Sequence, residues 1–234
     1  MLLLLVACQE NRNEKISAIY DLKAQPTTEN VERIRELLAA PDRDVRATAL
    51  NALVTLGVDD ARELALRHLA DEDGFVRATA AKLVGDVGGS EDAAVLVARL
   101  TQDSDPVVRL RAAEALTRVG GDEAVDGLGR GLSDPIDDVR LACARGVREM
   151  NPGAAIPQLA RLLLEDPNYE IRVQAARALG GTGDPDVRPL LEAALEDKNE
   201  FVRAAAANAL RTHEIVRERR EGEAQVDPAT PAPE

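Results

Sequence analysis

A Val-Arg or Ile-Arg pair recurs six times along this chain: Val45-Arg46, Val76-Arg77, Val108-Arg109, Val139-Arg140, Ile171-Arg172 and Val202-Arg203. The arginines stand 31, 32, 31, 32 and 31 residues apart. A fixed period of this length belongs to a chain made of copies of one supersecondary unit, each packing mainly on its neighbours. Such a chain offers an extended surface rather than one enclosed pocket, so the period constrains architecture far more than chemistry.

The unit beginning at Asp103 shows what each copy contains. Asp103-Ser104-Asp105-Pro106 is a turn and helix start, because Asp accepts from free N–H groups and Pro fits the first helical turn. Val108, Ala112, Ala115, Leu116 and Val119 follow at helical spacing and make one apolar stripe. Gly120-Gly121 ends the helix, since Gly tolerates a left-handed cap. Asp122-Glu123 opens a second helix with acid at its positive end, and Val125, Leu128 and Leu132 form that helix's core face. The unit is therefore two antiparallel helices joined by a tight turn.

The other copies keep this register. Seven residues after the arginine come Leu53, Val84, Leu116, Val147, Leu179 and Leu210, and twenty-three after it Leu69, Leu100, Leu132, Leu163 and Leu195. Three residues after it stand Ala49, Ala80, Ala112, Cys143, Ala175 and Ala206, which makes Cys143 a small core residue. Eleven after it come Gly57, Gly88, Gly120 and Gly183, with Asn151 as the exception. Six before it come Asp71, Asp103, Asp134, Asp166 and Asp197; only the first copy departs, with Ala40 there and Asp42 nearby.

The pattern Asp-x4-(Val/Ile)-Arg-x2-Ala-x3-(Leu/Val) resembles HEAT-like repeats of the phycobilisome-lyase type, over about residues 40–212. The resemblance implies an all-α fold, a right-handed α-solenoid of antiparallel helix pairs with about six units plus caps. It implies that first helices lie on the convex side, that second helices line the concave side, and that Asp and Arg form a ladder between neighbouring repeats. Six arginines in register could grip a polyanion. Each, however, follows a core residue and has an Asp at the adjoining turn, so a buried structural row that satisfies turn carbonyls is the expectation.

Ile16, Ile19 and Leu22, then Val31, Ile34, Leu37 and Leu38 after Thr28-Glu29, form an atypical N-terminal capping pair. The last copy keeps its first helix from about Glu200 to Arg211. Its continuation, Thr212 to Glu221, has only Ile215 and Val216 as apolar residues and reads as a polar cap. The solenoid thus occupies residues 15–222. Residues 223–234, acidic and Pro-rich, read as a disordered tail.

The opening Met1-Leu2-Leu3-Leu4-Leu5-Val6-Ala7-Cys8 resembles a bacterial lipoprotein signal ending in a lipobox. The resemblance implies cleavage before Cys8, lipid on that cysteine, and a cell-envelope location. Gln9, rather than Asp, after the cysteine implies the outer membrane facing the periplasm in a Gram-negative host; a cytoplasmic location is the alternative. Residues 1–8 are then signal and lipobox, and 9–14 a polar tether.

Chemistry is sparse. The chain has two His residues, His68 and His213, and no Cys-x2-Cys, so no zinc site and no cofactor are expected. His213-Glu214 is a single His-Glu pair, whereas the HEAT-like deoxyhypusine hydroxylases need several for two irons. Net charge is −13 without a segregated basic block, which argues against nucleic acid and against the HEAT-like alkylpurine DNA glycosylases. No nucleophile–base pair is evident, so the chain is expected not to be an enzyme.

The expected function is a non-enzymatic scaffold or adaptor, monomeric and membrane-anchored, that holds a protein or extended peptide on its concave face. Candidate partner-binding residues lie on the second helices: Glu63, Arg67, Asp126, Arg130 and Arg161, with Cys8 for lipid attachment. The runner-up is an accessory subunit of an enzyme, resembling bilin lyase components.

Overall fold

The computed structural model describes the backbone of residues 2–150 and 152–224, and side chains between 11 and 222 except at 151. Among the described residues all regular structure is helical. It divides into two compact units, Met1–Ala124 and Val125–Glu234. The first unit holds α1 (Leu2–Ala24), α2 (Thr28–Glu36), α3 (Arg43–Leu56), α4 (Ala61–His68), α5 (Gly74–Val87), α6 (Ala93–Gln102) and α7 (Pro106–Val119). The division falls inside α8 (Asp122–Gly131). The second unit continues with α9 (Asp137–Met150), α10 (Ile156–Glu165), α11 (Tyr169–Gly180), α12 (Arg188–Ala193) and α13 (Glu200–Ala224).

Within each unit, a first helix packs on its own second helix and on the first helix of the next repeat. In the first unit α3 touches α1, α4 and α5, and α5 touches α7; in the second α11 touches α9, α12 and α13. This is the helix-pair repeat that the period predicts.

The starts of the first helices are fixed by short polar side chains. Asp42 accepts from the Asp44 and Val45 N–H groups, Asp73 from Phe75, Asp105 from Val107 and Asn168 from Glu170. Inside each repeat the residue before the ladder arginine is sealed from solvent, as are Ala49, Ala80, Ala112, Cys143, Ala175 and Ala206. Small residues there let first helices approach closely. Gly85 and Gly180 show the approach: a Cβ on either would sit 2.8 Å from a Cα of the next first helix, Ala115 on α7 or Ala209 on α13. The fillers are Leu, Val and Ile, with Leu53, Leu116, Leu159 and Leu179 fully buried. Truncating any of them to Ala typically costs about 2–5 kcal/mol.

Several details differ from the sequence pattern. Gly57 and Gly120 close their helices at φ 68° and 72°, but Gly88 has φ −87° and ψ −177°. Gly88 is required by space rather than handedness, because a Cβ there would strike Asp92 and Val84. Leu195 departs from the buried series Leu69, Leu100, Leu132 and Leu163: it is 36% exposed, and its neighbour Ala194 is buried instead. There the chain tightens into a 3-10 turn, Ala194–Glu196, which rotates the side chains out of helical register. The last first helix does not stop near Arg211: α13 runs unbroken to Ala224, with His213 buried inside it.

At the other end α1 runs unbroken through residues 9–14. No helix among the described residues is long and apolar enough to cross a membrane. The Cys8 side chain, the cap at Asn151 and the tail beyond residue 224 lie outside the described residues.

Candidate functional site

Four of the ladder arginines, Arg46, Arg77, Arg140 and Arg172, are held from two sides. Arg46 donates through Nε and Nη2 to both oxygens of Asp71, at 3.0 and 2.8 Å, and through Nη1 to the carbonyl of Ala40 at 2.9 Å. Arg77 grips Asp103 at 2.8 and 2.8 Å and the Asp71 carbonyl at 2.9 Å. Arg140 grips Asp166 at 2.8 and 3.3 Å, and Arg172 grips Asp197 at 2.8 and 2.9 Å. Each thus clamps its own turn by a carbonyl and the next repeat by a carboxylate.

The carboxylates are positioned in turn. Asp71, Asp103, Asp166 and Asp197 each accept the N–H of the residue two further on, which folds the inter-repeat turn around the side chain. Burial alone would push the Asp71 and Asp103 carboxyls up; the arginine and the turn N–H outweigh it and hold both below the usual carboxylate range. Hydrogen bonding from Arg172 does the same for Asp197. Guanidinium groups saturated in this way are structural, as the sequence pattern implied, and offer nothing to a polyanion.

A second set of charge clamps, not apparent in the sequence, runs along the second helices of the first unit. Arg35 on α2 donates to both oxygens of Asp60 at 2.7 and 3.1 Å. Arg62 on α4 takes both oxygens of Asp92 at 2.9 and 2.5 Å. Asp60 and Asp92 look like helix-start acids in the sequence, yet neither side chain caps the α-helix that follows it, and Asp92 accepts instead from the Gly89 N–H at 3.2 Å. In the second unit Arg188 bridges to Glu214 at 2.7 Å.

The candidate partner-binding residues are what these clamps leave over. Glu63 and Arg67 are exposed on α4 and pair with each other at 3.0 Å. Asp126 and Arg130 are exposed on α8 one turn apart, without an ion pair among the described residues. Arg161 on α10 is exposed, meets Glu165 at 3.5 Å, and lines an open groove of about 550 Å³. That groove lies in the second unit, between the turn Leu132–Asp137 and α10, with Pro135, Pro157 and Pro167 beside Arg161, Glu165 and Asp166. The structure therefore brings Arg161 together with a cleft, pairs Glu63 with Arg67, and leaves Asp126 and Arg130 as separate surface charges.

Two buried groups complete the inventory. Burial pushes the Cys143 thiol well above its ordinary range, as expected for a small core residue. His213 sits 2.7 Å from the Asp184 carbonyl through Nε2, so that nitrogen carries the hydrogen, while buried Nδ1 has no partner among the described residues. Among the described residues no three His, Cys, Asp or Glu side chains converge as metal ligands.

The family model for HEAT repeats matches residues 31–117, 93–172 and 156–221. No curated protein matches the chain. Among solved structures, the complex of CpcE and CpcF of phycocyanin lyase from Nostoc sp. PCC7120 is similar, with 30% identity and a TM-score of 0.57, covering 70% of this chain and 68% of that one. An archaeal HEAT-like repeats protein from Thermococcus onnurineus is 16% identical with a TM-score of 0.59, covering 88% and 97%. Human deoxyhypusine hydroxylase is 24% identical with a TM-score of 0.50, covering 86% and 79%. The last two show likeness of fold alone.

Proposed function

We propose, from the premise that the chain belongs to the HEAT-repeat family, that it is a non-enzymatic scaffold whose second-helix face holds a protein or extended peptide. The observation that carries this reading is the division of labour among its arginines. Arg46, Arg77, Arg140 and Arg172 of the ladder are saturated by carboxylates and carbonyls. Arg130 and Arg161 stay exposed, the second of them in the wall of the groove of about 550 Å³. Exposed charges steer and orient a partner at little cost to the fold. Capture of interacting proteins from the native host should fall when Arg130→Glu and Arg161→Glu are combined; unchanged capture sinks the reading.

The finer proposal is that Cys8 is lipidated and tethers the scaffold in the cell envelope, supported by Leu5-Val6-Ala7-Cys8. Mature bacterial lipoproteins carry more than one acyl chain, which makes such anchoring stable. Cys8→Ser should move the protein from membrane to soluble fractions; equal partition of both forms leaves the cytoplasmic alternative. A second reading rests on the 30% identity to the phycocyanin lyase structure: an accessory subunit of a bilin lyase. It requires the soluble form to bind a bilin, read as a shifted chromophore absorption spectrum.

A further inference from the structure

The chain contains two Tyr, two Phe and no Trp. None of the four aromatic rings is in the core. Tyr20 is 62% exposed, Phe75 49%, Tyr169 39% and Phe201 59%. All four line grooves on first helices, the side away from the second-helix charges. In the first unit, Tyr20 and Phe75 border a groove of about 460 Å³ over α1, α3 and α5. In the second, Tyr169 and Phe201 border one of about 340 Å³ over α9, α11 and α13. Burial does not account for their placement; Phe75 is met by the Arg43 guanidinium at 5.6 Å.

The groove in the second unit has a definite chemistry. The Tyr169 and Phe201 rings lie 6.0 Å apart, tilted by 30°, and form a shallow apolar notch. Arg145 and Arg177 flank it, with Glu170 and Gln174 as the other polar lining. Both arginines are exposed and have no carboxylate partner among the described residues. They stand five residues after Arg140 and Arg172, the same register on neighbouring helices. The corresponding residues elsewhere are Asn51, Lys82, Glu114 and Asn208, so only this repeat pair places two guanidiniums side by side. Two cations against one carboxylate make a positive spot on a chain of net charge −13.

We propose that this outer groove docks an extended acidic protein segment carrying proline. A preformed polyproline II helix presents proline rings that suit a tilted aromatic notch. It rises about 3.1 Å per residue, so carboxylates three residues apart stand about 9 Å apart. The axes of packed helices stand about 8–10 Å apart, so Arg145 on α9 and Arg177 on α11, both lining the groove, can meet carboxylates at that spacing. The site is independent of the second-helix face proposed above.

The test uses the full chain and a labelled synthetic heptapeptide, acetyl-Ala-Asp-Pro-Pro-Glu-Pro-Ala-amide, followed by fluorescence anisotropy at low salt. Saturable binding is expected. It should weaken about tenfold when Asn and Gln replace the peptide's acids, and about tenfold in Arg145→Glu/Arg177→Glu, as two exposed charge contacts are lost together. Phe201→Ser should weaken it several-fold, while circular dichroism confirms that each variant is folded. Arg130→Glu/Arg161→Glu should bind as the parent does. Absence of saturable binding, equal binding of the uncharged peptide, or undiminished binding by Arg145→Glu/Arg177→Glu overturns the proposal. Loss of binding in Arg130→Glu/Arg161→Glu overturns it too, by placing the peptide on the other face.

Discussion

Arg172 and Arg203 occupy the same place in consecutive repeats of the second unit, and their surroundings are opposite. Arg172 is 3% exposed, with Nε and Nη2 on the Asp197 carboxylate and Nη1 on the Asp166 carbonyl. Among the described residues Arg203 makes only the carbonyl half of that clamp, to Asp197 at 2.8 Å, and it lies exposed. The sequence motif thus specifies the turn clamp, while the carboxylate clamp and the burial come from the repeat that follows. An arginine's contribution depends on where the repeat stands in the stack.

The largest expected consequence is a difference between two truncations. Arg172→Ala leaves the Asp197 carboxylate without its counter-ion and strips the turn at Asp166 of a donor. Breaking a buried ion pair from one side typically costs about 3–5 kcal/mol. Arg203→Ala removes one exposed hydrogen bond and should cost under about 1 kcal/mol. Urea denaturation followed by circular dichroism should separate the midpoints widely; equal midpoints would mean that the carboxylate clamp contributes nothing beyond the carbonyl bond.

Acid should erase that difference. Asp71, Asp103 and Asp197 are held below the ordinary carboxylate range when folded. A depressed folded value contributes stability that is fully present above the unfolded value of about 4 and is lost as pH falls further, through the folded value. The parent should lose stability below about pH 4 more steeply than Asp197→Asn, which has one fewer such group. Parallel pH profiles of the two proteins would remove the ladder as the cause.

The ladder was legible in the sequence because its spacing is regular and each Asp sits beside a turn. The clamps Arg35–Asp60 and Arg62–Asp92 were not, because their separations differ, 25 and 30 residues, and both acids resemble ordinary helix starts. The continuity of α13 past Arg211 was obscured by the polar run from Thr212. What compensates is His213, a polar residue whose buried ring is tied to the Asp184 carbonyl, which hydropathy alone does not register. The sequence could place the candidate partner-binding residues on exposed second helices, but it could not show that Arg161 borders a cleft. That cleft is made by Pro135, Pro157 and Pro167, from three separate turns and helix ends.

The smallest effect lies with the charges that the clamps do not use. Glu63 and Arg67 form an i,i+4 pair at 3.0 Å, with side chains 72% and 65% exposed. Such pairs contribute about 0.3–0.5 kcal/mol and weaken with salt. Arg67→Ala should therefore shift the urea midpoint barely, and less at high ionic strength, while Arg46→Ala on the neighbouring first helix, whose guanidinium grips Asp71, should shift it by an order of magnitude more. Comparable shifts would collapse the distinction between structural and available arginines. A negligible shift for Arg67 with a large one for Arg46 means that this surface pair can be altered by a partner, or by selection for one, without disturbing the stack beneath it.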